Sequence, residues 1–91
     1  MSEYRVADGV KWAVEAGGVV LIDCATGAGT TLGYPQAAIW DFLTRGESIV
    51  SIAAKVCAIA SLDQAASEAL VAETVAALRE AGFLTIREAR G

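Results

Sequence analysis

The stretch "VVLIDCATGAGTTLGYPQAAIW", Val19 to Trp40, decides how this chain folds. Val19 to Asp23 has apolar side chains on both faces of an extended segment, as a strand flanked by neighbours or covered on both sides does. "CATG" then leads into a second extended segment, Ala28 to Leu32, which holds two small residues and two threonines, with Gly27 as the positive-φ residue of the turn. Pro35 suits the first turn of a helix, where its missing N–H costs nothing. That helix should run to about Thr44 before Gly46 stops it, with Ile39, Phe42 and Leu43 as its inner stripe. A strand this thin, set between a strong strand and a helix, calls for a physical reason.

Upstream, Val10, Trp12 and Val14 alternate with Lys11, Ala13 and Glu15, the period-two pattern of a half-buried strand, and Gly17-Gly18 supplies a tight turn. Downstream, Ser48 can cap a second helix whose apolar residues Ile49, Ile52, Ala53, Val56, Cys57 and Ile59 recur at helical spacing. Asp63 caps a third helix, roughly Gln64 to Ala81, with Ser67, Val71, Val75 and Leu78 on one face. Gly82 ends it, Phe83 is placed to contact Leu78 in a Schellman-type ending, and Leu84 to Ile86 forms a short extended tail. The order predicts an α+β domain, winged helix-turn-helix-like, with a three-stranded antiparallel sheet followed by three helices.

Size and composition narrow the function. With 91 residues, of which 55% are hydrophobic, the chain has room for one domain and one core. The net charge of -4 and the hydrophobic content exclude disorder by composition. No apolar run approaches the roughly 18 residues that span a bilayer, and the N-terminus lacks a basic stretch followed by an apolar one, so a cytoplasmic protein without a membrane partner is expected.

Cys24 and Cys57, with no histidine anywhere, are too few for a zinc site or a disulfide framework and are expected as small buried hydrophobes. Without histidine, a Gly-rich phosphate loop or a suggestive carboxylate pair, no catalytic site can be written, so the expectation is a non-enzyme with no cofactor or metal. Nucleic acid is disfavoured as a partner, because the third helix carries Glu68, Glu73 and Glu80 against Arg79 alone and would repel phosphates.

Quoted together, "VVLID", "TG", "TLGYPQAAIWDFLTRG", "AAKV" and "VAETVAALREAGFL" resemble the coenzyme PQQ synthesis protein D (PqqD) family, whose domain is also called the RiPP recognition element. The resemblance covers about Val10 to Ile86. The chain departs from the family pattern at Gly33, where an Asn is common, and at Leu70, where a polar residue is common. The resemblance implies binding of the leader segment of a ribosomally made precursor peptide, which adds as a strand beside the third strand, against the third helix.

The same resemblance implies delivery of the rest of the precursor to a partner enzyme: a radical SAM enzyme of the PQQ type, or a leader peptidase and cyclase of the lasso-peptide type. A thin edge strand then has a use, since its unpaired backbone groups can be extended by a guest chain. On this view Ala28, Gly29, Thr30, Thr31 and Leu32 form the template. Leu70, Thr74 and Ala77, with Ala81, form an apolar wall on the third helix, and Arg79 or Arg45 could pair with an acidic leader.

Other readings compete. The thin strand could be an ordinary edge kept small against aggregation, the third helix could be buried on both flanks, and Trp12 and Trp40 are expected in the core. A winged-helix DNA-binding regulator or a plain dimerisation module are the alternatives of a different class.

Overall fold

The computed structural model of the chain describes residues 3–86. Eight elements follow in order: β1 (Tyr4–Val6), β2 (Val10–Glu15), β3 (Gly18–Asp23), β4 (Gly29–Leu32), α1 (Gln36–Thr44), α2 (Ile49–Ala60), α3 (Gln64–Glu80) and β5 (Leu84–Ile86). β2, β3 and β4 form an antiparallel sheet in that order, and the three helices follow it as the sequence predicts. One element escapes that prediction. β1 pairs antiparallel with β5, Arg5 opposite Thr85, in a second sheet of two strands.

The local signals act as read. Ser48 Oγ accepts from Ser51 N at 3.1 Å and Asp63 Oδ1 from Ala66 N at 2.7 Å, satisfying donors that a helix start leaves orphaned. At the end of α3, Gly82 has φ +89, its N–H donates to Arg79 O, and Phe83 N donates to Leu78 O at 2.9 Å, the bond pair of a Schellman ending. Gly46 ends α1 in the same way, with Glu47 N donating to Phe42 O. α2 stops differently, on Ser61 in the left-handed conformation.

The first hairpin turns on Ala16 and Gly17, because Glu15 and Gly18 are the last paired residues. Gly18 is inside β3 and has a packing role. A Cβ there would lie 1.9 Å from the Leu32 carbonyl oxygen, so only glycine lets the end of β4 come this close.

Leu21, Ile39, Ile52, Val56 and Val71 are fully buried, and Trp40 nearly so, where β3, α1, α2 and α3 meet. Full burial of each aliphatic side chain contributes about 1.5–3 kcal/mol. Ser67, also fully buried, donates to Ala53 O at 2.5 Å, tying α3 to α2 without an unmet hydroxyl.

Expectations at five residues need correction. Val14 is 74% exposed and Trp12 43%: both face the same side of the sheet as buried Val19 and Leu21, but they stand on β2, the edge strand at the margin of α1. Trp12 therefore caps the core, its ring edge-on to Trp40 at 5.5 Å between centroids, where burial was expected. Cys24 is exposed in the turn after β3, and Cys57 is half-buried beside Gln64. Ile59, assigned to the inner stripe of α2, is 54% exposed near the end of that helix.

Candidate functional site

β4 is an edge strand. Its four residues pair with β3 alone, Gly29 with Ile22, Thr30 with Leu21, Thr31 with Val20 and Leu32 with Val19. Among the described residues no strand pairs with its other side. Asp23 N donates to Ala28 O at 2.8 Å, so Ala28 directs its backbone at β3, and antiparallel alternation gives Thr30 and Leu32 the same role. Gly29 and Thr31 are then the residues whose N–H and C=O point away from the sheet. The chain's own C-terminal strand, β5, is engaged with β1.

Side chains alternate the other way. Thr30 and Leu32 stand on the face of buried Leu21 and Val19, toward α3, while Thr31 shares the outer face with Val20. A groove of about 440 Å³ lies between these two residues and α3. From the middle and later turns of α3 it is lined by Leu70, Glu73, Thr74, Ala77 and Leu78, and from the helix C-cap by Ala81. Phe83, just past the helix, and Gln36, at the start of α1, complete it.

Of the eight residues singled out in the sequence, Thr30, Leu32, Leu70, Thr74 and Ala77 thus come together around one groove. Gly29 and Thr31 contribute backbone at the edge. Ala28 precedes β4 and does not line the groove. Leu70 is half-buried and packs against the core margin, so it serves both core and groove. Thr74 is only 7% exposed, and its hydroxyl donates to Leu70 O at 2.8 Å, which makes it an apolar-behaving part of the wall. The suggestion that α3 could be buried on both flanks is half right at this position.

Ala81, placed on the apolar wall from the sequence, lines the groove as well, and the residues missed from sequence are Gln36, Glu73, Leu78 and Phe83. Glu73 was findable, since it follows Leu70 by three and precedes Ala77 by four, positions that share a helix face. The arginines do not reach the groove. Arg45 pairs with Asp41 at 3.1 Å, and the Arg79 guanidinium lies over the Tyr4 ring at 5.9 Å on the opposite side of α3.

Among the described residues no helix is long and apolar enough to cross a membrane by itself, and no group of three metal-ligating side chains gathers. What the groove offers is a backbone ladder with one open side, an apolar floor and a single carboxylate. These features define a small α+β module built to receive an extended chain.

No protein-family model matches the chain, and no curated protein matches it at a significant level. Two solved structures are similar to it. One is a lasso peptide synthetase B1 complexed with the leader peptide, 25% identical, with a TM-score of 0.85 over 92% of this chain and 99% of that one. The other is TbiB1 in complex with the TbiA(beta) leader peptide, 26% identical, with a TM-score of 0.86 over 93% and 99%. Both share the α+β, winged helix-like architecture of this chain.

Proposed function

We propose that this chain recognises the leader region of a ribosomally synthesised precursor peptide by strand addition to β4 and delivers it to a separate maturation enzyme. The observation that carries the reading is the unpaired outer side of β4 facing a groove against α3. The likeness to two proteins, one of them a lasso peptide synthetase B1, each solved with a leader peptide, supports the same ligand class. It also favours a leader peptidase and cyclase over a radical SAM enzyme as the partner. Membership of the PqqD-like family rests on the sequence pattern described above.

The chemistry suits binding better than catalysis. Each backbone hydrogen bond to a guest contributes about 0.5–1.5 kcal/mol net, so the outward groups of Gly29 and Thr31 supply general affinity for any extended chain. Discrimination falls to the side chains that Leu32, Leu70, Thr74, Ala77 and Phe83 would contact. The chain itself acts without a cofactor and makes or breaks no bond.

Where a short open reading frame is found beside the gene for this chain, a synthetic peptide covering the N-terminal half of its product should titrate to saturation with one site per protein. Its backbone amides should gain exchange protection together with those of Gly29 and Thr31. An absence of binding, accompanied by self-association through β4, would replace this reading with the dimerisation module.

A further inference from the structure

The groove's single charged wall residue bears on what a guest strand must carry, provided that the leader-recognition reading holds. Glu73 is exposed, lines the groove between Leu70 and Ala77, and has neither an ion pair nor a side-chain hydrogen bond among the described residues. The described cations lie elsewhere. Arg5 pairs with Asp8, Arg45 with Asp41 and Lys55 with Glu47, Arg79 covers Tyr4, and Lys11 stands on the outer face of the sheet. The nearest uncharged walls are a leucine, a hydroxyl already spent on Leu70 O and an alanine.

Spacing places the charge. At about 1.5 Å per residue the groove wall from Leu70 to Ala81 is roughly 16 Å long, which about five residues of extended chain would cover. Alternate residues of such a strand face the same side, so three side chains would enter the groove, and the middle one falls opposite Glu73 and Thr74. An acidic side chain there would meet an unshielded carboxylate beside apolar walls, where screening by water is reduced. A lysine or arginine would meet its counter-ion, with its aliphatic stem against Leu70 and Ala77.

We infer that Glu73 is a specificity-determining residue that selects leaders carrying Lys or Arg at the central groove-facing position, flanked two residues away on each side by apolar anchors. The chain's net charge of -4 assists the encounter of such a leader at low salt.

The test is selection of displayed random peptides of about twelve residues, a length that spans β4 with margin, against the wild type, Glu73→Gln and Glu73→Lys. Wild-type winners should share an apolar, any, basic, any, apolar pattern. Glu73→Lys should turn the central preference to Asp or Glu, and Glu73→Gln should abolish it. In a wild-type winner, changing the basic residue to glutamine should weaken binding about fivefold at low salt, a loss that salt or Glu73→Gln removes. Winners without that central bias, or with a bias that survives Glu73→Lys, overturn the inference and leave leader recognition standing. A wild type that enriches no peptide overturns leader recognition itself.

Discussion

β4 and β5 are both short edge strands beside α3, each paired on one side only, β4 with β3 and β5 with β1, and the fold gives them different surroundings. β5 is closed by β1, and the tie continues as Ala7 N donates to Phe83 O at 3.0 Å. β4, on the other flank of the helix, has its outward groups at Gly29 and Thr31 left to a guest. The contrast teaches that an unpaired edge is not by itself a site: the groove beside β4 is uncharged apart from Glu73, whereas the cavity beside β5 is bordered by Arg79 and Glu80, and pairing with β1 holds the C-terminal strand away from β4.

Several substitutions break or sharpen that contrast. Phe83 belongs to both regions, its carbonyl accepting from β1 and its side chain lining the groove, at 2% exposure. Phe83→Ala keeps that carbonyl but empties the buried ring site, and should cost about 3–5 kcal/mol and abolish peptide binding, as thermal melting and titration would record. Thr85→Pro removes a bond that the β1–β5 register directs at Arg5, and should cost about 1–3 kcal/mol whether or not peptide is present.

Thr31→Pro is the counterpart on the open side. It should change stability by less than about 0.5 kcal/mol while lowering peptide affinity about tenfold; equal losses of stability at Thr31 and Thr85 would erase the distinction between the strands. Leu70→Glu lies between these cases. Leu70 is half-buried, so a stability loss of about 1 kcal/mol should accompany the loss of affinity for an apolar leader.

The smallest effect concerns acid. The Lys55 ammonium, with Ser51 Oγ assisting, holds the Glu47 carboxyl below its usual 4.5. Lowered in the folded state, this group adds stability above pH 4.5 that is lost as pH falls through its folded value. Glu47→Gln should flatten that part of the acid melting curve and leave peptide binding at neutral pH unchanged, since Glu47 does not line the groove.

Much of the scaffold was legible because its signals are local. Ser48, Asp63, Gly46 and Gly82 mark their helix ends by backbone chemistry that depends on nearby residues alone. Thr30, Leu32, Leu70 and Ala77 could be assigned to one groove once an edge strand and an apolar helix flank were paired. β1 was illegible because "YRV" has no periodicity of its own and becomes a strand only through β5 at the far end of the chain. Trp12 and Val14 alternate as core residues do, but sequence does not say that their strand forms the edge of the sheet, at the margin of α1. Glu73 was counted as charge against DNA, although its spacing from Leu70 and Ala77 already puts it on the same helix flank, where it lines the groove.

The pairing of Tyr4 with Ile86 brings the two extremities of the described chain side by side, across α3 from the groove. A reporter or an enzyme joined at either terminus would therefore depart from one location and approach the receptor face from behind. A short bridge between the two ends, with a new opening cut at Ala16 and Gly17, should yield a circular permutant that keeps the fold.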